Sequence, residues 1–179
     1  METGANTNQD LLTLEILTYP DPILMKKAEP VAELTDEIKV LADRMVKTMT
    51  AAPGAGLAAP QVGTLLRIIT VDTACGSEKR PPAPLIMINP EITRTHGEII
   101  DEEGCLSMPG IFADVARPES LTAIYTDQKG ERRNIEAEGT LARCIAHETD
   151  HLDGVLFWDR LGRFKRDWLR LKFKRLRSV

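Results

Sequence analysis

Apolar residues recur at helical spacing along two stretches of this chain, and several shorter apolar runs lie between them. In "LTDEIKVLADRMVKTMT" the positions Ile38, Leu41, Ala42, Met45 and Met49 fall on one face. Thr35 is placed to cap that helix, and Asp36 and Glu37 suit the positive end of its dipole. In "TLARCIAHETDHLDG" the same spacing joins Leu141, Cys144, Ile145, Glu148 and Leu152, with Thr140 as the expected cap and Gly154 as the stop. The β-branched "LLRIITVD" predicts a buried strand. "LIMINPEI", "GEIID", "SLTAIYTD" and "RRNIEAE" predict further strands, the last two joined through "QKG" as a hairpin. A last helix is expected over about residues 164–177. Strands enclosed by helices without βαβ alternation predict an α+β fold with mostly antiparallel sheet.

The remaining stretches read as connections. "YPDPILMKKAEPV" is punctuated by Pro20, Pro22 and Pro30 and reads as an irregular arm hugging the surface. "PGAGLAAPQVG" reads as a loop, because Gly54, Gly56 and Pro60 break both periodicities. "CGSEKRPPAP" is a polar excursion that no core would hold. No repeat is found, and 179 residues with 42% hydrophobic content suit one domain.

Charge is unevenly placed. The formal net charge of −4 gives no support to a DNA-binding role. Yet nine basic residues against one acid lie between Arg160 and Val179, leaving 14 basic and 26 acidic residues upstream. The last helix is therefore basic and amphipathic, with Phe164, Trp168, Leu169, Leu171, Phe173 and Leu176 as its apolar stripe. Packing of that stripe on its own domain is one expectation, and docking on a phosphate-rich partner or, more weakly, a membrane surface is another. The opening residues lack a basic segment followed by an apolar run, and no stretch of eighteen apolar residues occurs, so a cytoplasmic protein without a membrane span is expected.

The chemistry concentrates in "HETDH", which spends two of the chain's three histidines. Residues four apart in a helix stack about 6 Å along one face. His147 and His151 can therefore aim at one divalent ion, with Glu148 offering a base beside it. Two exposed histidines and an ordinary glutamate are the bland alternative. A catalytic metal needs a third ligand. Asp153, Asp159, Asp167 and His96 offer carboxylates or an imidazole. Cys144 lies too far back along the helix and is expected to be a core thiol, and Cys75 a free surface cysteine. Cys105, in "DEEGCLSMPG", could complete a sulfur and two-nitrogen site with one open position, or be a small buried hydrophobe.

"GAGLAAPQVG" (54–63), "EGCLS" (103–107) and "HETDH" (147–151) together resemble the three motifs of the peptide deformylase family, in order and at usual separations. Similarity extends to "ILTYPDPIL" and "GVLFWDRL". The resemblance implies antiparallel sheets around a central HExxH-bearing helix, with a further helix near each end. It implies one metal held by Cys105, His147 and His151, often iron(II), replaceable by nickel, cobalt or zinc. The implied reaction removes the formyl group from the initiator methionine of new polypeptides. Glu148 would be the base, and the Gln61 amide and Leu106 N–H would stabilise the oxyanion. Gly54, Ala55, Gly56, Glu103 and Gly104 would line the substrate, and Glu103 would pair with Arg117. Some relatives dock a C-terminal helix on the ribosome. The chain departs from the pattern at Ala146, where glutamine is usual, which bears on the surroundings of the ligands. An HExxH endopeptidase with a carboxylate or histidine third ligand, and a non-catalytic metal module, are the rival readings; blue-copper electron transfer ranks last, because nothing supplies its axial-methionine loop.

Overall fold

The computed structural model describes residues 13–74 and 80–177. The first predicted helix is α1, Asp36–Ala51, with the Thr35 hydroxyl accepting from the Ile38 N–H at 3.5 Å. Ala42, Met45 and Met49 are buried, with Ile38 and Leu41 packed beside them. Five strands then form one antiparallel sheet: β1 (Gly56–Ala58), β2 (Ile68–Asp72), β3 (Pro84–His96), β6 (Ser120–Thr126) and β7 (Arg132–Glu138), in the order β1-β2-β3-β6-β7. A separate two-stranded ribbon pairs β4 (Ile99–Gly104) with β5 (Phe112–Arg117). The helix bearing the histidines is α2, Gly139–Leu152, and α3 spans Arg163–Leu176.

β2 shows why the layers stack as they do. Alternate residues of a strand face opposite sides. Ile69 and Val71 pack with Ile145, Ala142 and Leu152 of α2, whereas Ile68 packs with Met45 and Met49 of α1. The near-continuous apolar run of the strand is therefore what a sheet covered on both faces requires. A third cluster lies under the ribbon, where Val115 and Ile111 meet Phe157, Trp158, Leu169 and Phe173. With the sheet on one flank and this cluster beyond the other, every residue of α2 from Cys144 to Leu152 is buried.

Several local expectations are revised. The 53–63 loop contains β1 and a short 3₁₀ turn, Ala59–Val62, because Gly56–Ala58 finds an antiparallel partner in Ile69–Val71. β5 was not anticipated, since its alternation FADVAR is weakly apolar. Its exposure nonetheless alternates strictly, with Ala113, Val115 and Arg117 inward. Thr140 does not cap α2: the helix begins at Gly139, whose φ of 56° turns the chain out of β7, and Glu138 stands at the cap without a side-chain bond. Gly154 does lie just past the helix end, in the left-handed region at φ 71°. The proline-rich arm is anchored rather than superficial. Leu24 is fully buried, and the Asn89 amide clasps both backbone groups of Val31 at 2.8 and 2.9 Å.

The expected stripe of α3 divides. Leu169 and Phe173 are buried, but Phe164, Trp168, Leu171 and Leu176 are exposed, because Phe164, Trp168 and Leu171 lie on the opposite side of the helix from the packed pair. Among the described residues no helix is long and apolar enough to cross a membrane. Cys75 lies outside the described residues.

Candidate metal centre

α2 carries His147 and His151 one turn apart, and their Nε2 atoms lie 3.2 Å from each other. β4 ends at Gly104, so the chain leaves the ribbon at Cys105 and brings its sulfur to 3.2 Å from the His151 Nε2. The three donor atoms lie within 4.8 Å of one another. Two nitrogens bound to one ion at 2.0–2.1 Å and a tetrahedral angle would be about 3.3 Å apart, so the donor set fits a single metal. His96 ends β3 as an exposed residue, Asp153 pairs with Arg67, and Asp159 pairs with Arg170. Asp167 lies on α3, half-exposed, with Arg163 and Arg166. None of these four belongs to the cluster.

Two of the three, His147 and Cys105, are held by a neighbour, while the His151 Nδ1 is buried without a partner among the described residues. The Glu103 carboxylate bonds the His147 Nδ1 at 2.6 Å, which fixes the ring so that Nε2 faces the other ligands. Arg117 grips Glu103 with two nitrogens, at 3.0 and 2.7 Å, and Arg143 adds a third contact at 3.0 Å. The expected Glu103 and Arg117 pair is thus a buried fork rather than a solvated one. Gln61 is buried, with its Oε1 accepting from the Ala58 N–H at 2.8 Å. That bond turns the amide nitrogen toward the Cys105 sulfur at 3.6 Å and the Ser107 hydroxyl at 3.2 Å.

Burial and charged partners push neighbouring groups in opposite directions within a few ångströms. For Glu103, burial opposes the charge, but the bonds from His147 and Arg117 overcome it and hold the carboxylate well below its usual range. Glu148 has no such cation in contact, and burial pushes its carboxyl up to about 7 against the pull of nearby His147. Its Oε2 is buried without a partner among the described residues. Burial also lowers His147, yet the Cys105 sulfur and Glu103 raise it well above the ordinary imidazole value. His151 goes the other way, driven down by burial and by the His147 charge beside it.

Apart from His151, these groups open on a cavity of ≈ 450 Å³ lined by Gly54, Ala55, Gly56, Gln61, Glu103, Gly104, Cys105, Leu106, His147 and Glu148. The glycine at 56 is there for clearance. A Cβ on it would stand 2.5 Å from Glu148 Oε1 and 2.7 Å from the Cys144 sulfur. Cys144 is accordingly buried in the sheet-side core, as expected of a core thiol, but also forms part of the cavity wall, bonding the Ala55 carbonyl at 3.1 Å. Ala146 packs into the same core and does not line the cavity. Sequence reasoning missed Ser107, Arg143, Asp150 and Arg160. Arg143 and Asp150 stand four before and three after His147, so helical spacing could have placed them on its face. Arg160 carries no such signal.

Fold and site define a class: an α+β protein whose HExxH helix offers two imidazoles and whose neighbouring ribbon offers a thiol. The family described as Polypeptide deformylase matches residues 13–167. Peptide deformylase from Thermodesulfovibrio yellowstonii is 47% identical over 161 residues, covering 90% of this chain and 96% of that one. The crystal structure of a peptide deformylase from Legionella pneumophila superposes with a TM-score of 0.83 at 42% identity, covering 93% and 98% of the two chains. That from Ehrlichia chaffeensis in complex with actinonin gives 0.86 at 38% identity, covering 93% and 99%. The chain belongs to the peptide deformylase family.

Two outcomes follow from this geometry. Gly56→Ala should displace Glu148 and, if Glu148 is the base, lower kcat by about 10²-fold, the typical cost of misplacing a reacting group by an ångström, while equilibrium dialysis finds metal binding unchanged; full activity would contradict the clearance argument. The Cys105 sulfur and Glu103 favour a proton on the His147 ring, and a bound metal must displace any proton on its ligand nitrogen. Apparent affinity for zinc, measured by competition with a chromophoric chelator, should therefore rise with pH through neutrality, and a pH-independent affinity would contradict the assignment.

Proposed function

We propose that this chain, acting as one catalytic unit over residues 1–179, hydrolyses the N-formyl group from the initiator methionine of newly made polypeptides and releases formate. The observation that carries the reading is the convergence of Cys105, His147 and His151 beside the buried carboxylate of Glu148, whose Oε2 has no partner among the described residues. Iron(II) is the proposed ion in the cell, with nickel, cobalt or zinc as substitutes. When bound, it supplies a Lewis acid that lowers the pKa of water and polarises a carbonyl.

The side chains do the rest. Glu148 takes a proton from the water whose oxygen bonds to the formyl carbon, then returns it to the amine nitrogen as the C–N bond breaks. A carboxyl pushed up to about 7 can both accept and donate near neutral pH. Gln61, with its oxygen engaged by Ala58 and its amide nitrogen facing Cys105 and Ser107, is the proposed donor to the oxyanion by turning an N–H from the long Cys105 contact, and the Leu106 N–H is the proposed second donor. The backbone of Gly54, Ala55, Gly56 and Gly104 forms the walls along which the peptide lies, and Glu103 holds His147 in place rather than touching the formyl group.

The proposed setting is the cytoplasm, with the ribosome as a partner reached through α3. The exposed side of α3 carries Lys172 and Arg175 beside Trp168 and Leu171. Deleting this helix would strip Leu169 and Phe173 from the core, so point changes are the cleaner probe.

Formate release from a formyl-Met-Ala peptide by anaerobically purified protein should be abolished by chelator. Glu148→Ala should keep the metal and lose at least about 10²-fold in kcat. Cys105→Ala should lose the metal; retention of metal with proteolytic activity would favour the endopeptidase reading instead. Lys172→Glu with Arg175→Glu should weaken salt-sensitive co-sedimentation with ribosomes, and unchanged binding would remove the docking idea.

A further inference from the structure

The pairing that orients His147 continues past Glu103. Arg117 gives Nε and Nη2 to Glu103 and its remaining nitrogen, Nη1, to Asp150 at 2.5 Å. Asp150 is buried on α2, three residues after His147 and one before His151. A single guanidinium therefore serves two buried carboxylates. Alone with that one contact, Asp150 would keep an unpaired buried oxygen and would compete with Glu103 for the Arg117 fork. Arg160 removes the competition. From the 3₁₀ turn Phe157–Arg160 it reaches back to α2, with Nε on Asp150 Oδ2 at 2.9 Å and Nη2 on Oδ1. Both Asp150 oxygens are then engaged.

We propose that Arg160 is a positioning residue for the metal centre: by satisfying Asp150, it leaves Arg117 clamped on Glu103 with two nitrogens, and so fixes the His147 ring toward the ion. The inference rests on the proposed three-ligand centre. It assigns a role to a residue outside the three motifs, on a separate element, whose side chain is 49% exposed. Its removal leaves no large void in the core. Two planar forks meet at Asp150, so geometry matters as well as charge. A lysine at 160 would supply the charge without the fork.

Cobalt-loaded protein separates this role from simple tethering of the turn. Arg160→Gln should alter the visible cobalt absorption and release cobalt to a chelator about tenfold faster, the lower end of what losing an outer partner of a ligating histidine costs. Its kcat should fall with KM unchanged. Arg160→Lys should recover part of the defect. Asp150→Asn placed in the Arg160→Gln background should recover more, because the excess carboxylate charge is gone and Arg117 returns to Glu103. An Arg160→Gln protein with wild-type cobalt spectrum and release rate overturns the proposal, as does a defect that Asp150→Asn deepens. A wild-type spectrum without sulfur-to-cobalt absorption would instead overturn the three-ligand reading, and this inference with it.

Discussion

Glu103 is the carboxylate around which this centre is organised. It is buried, and an isolated buried anion is costly enough that such groups normally take up a proton instead. Here Arg117, Arg143 and His147 all bond it, so it stays ionised. Three separate elements meet at that point: β4 supplies the carboxylate, β5 supplies Arg117, and α2 supplies Arg143 and His147. The β4 and β5 ribbon, which forms no part of the main sheet, is thereby registered against the helix. That registration carries Cys105, two residues beyond Glu103, to the imidazoles.

A helical segment buried on every side is ordinarily apolar all round. α2 departs from this, burying His147, Glu148, Thr149, Asp150 and His151 in succession. The helix divides the burden by side. Ala142, Ile145, Ala146 and Leu152 meet the sheet, so hydrophobic packing secures the helix there. The opposite side is polar and is answered by guanidiniums arriving from Arg117 and Arg160. Thr149 answers its own hydroxyl by bonding the Ile145 carbonyl at 2.7 Å. Buried ion pairs of this kind seldom add net stability, but removing one partner is expensive. Their presence in a core is better explained by what they orient than by what they stabilise.

The parts of this arrangement that sequence can express are those with a period or a local spacing. α1 and α2 declared themselves through residues three and four apart, and the histidine pair through its own turn. The strands β2, β3, β6 and β7 were visible because β-branched and apolar runs were interrupted by turn residues. β1 and β5 were not: β1 is three residues long amid glycine and proline, and β5 buries alanine and an arginine where an apolar signal would be sought. The third member of the cluster was legible only as one choice among several until the motif resemblance singled out Cys105. The charges beyond it were still less so. Arg117 to Asp150 spans 33 residues and Arg117 to Glu103 spans 14, and nothing in a linear pattern says which cations will be brought to which acids. The Ala146 departure also takes its meaning from the fold, since its side chain turns toward the sheet.

Two carboxylates in one site, Glu103 and Glu148, show how a fold assigns chemistry by environment. Both are glutamates, and both are almost fully buried. Glu103 is surrounded by donors on each oxygen, so its proton is excluded and it acts as a fixed charge. Glu148 is one residue from His147, yet α2 rotates it about 100° away, out of reach of the guanidiniums and against the bare backbone of Gly56. Desolvation then dominates and brings its protonation into the neutral range. Had the cations been shared evenly, both groups would be permanent anions and neither could pass a proton. Unequal sharing separates the two groups: one acid is a fixed anion bonded to His147, and the other is left able to take up and release a proton near neutral pH.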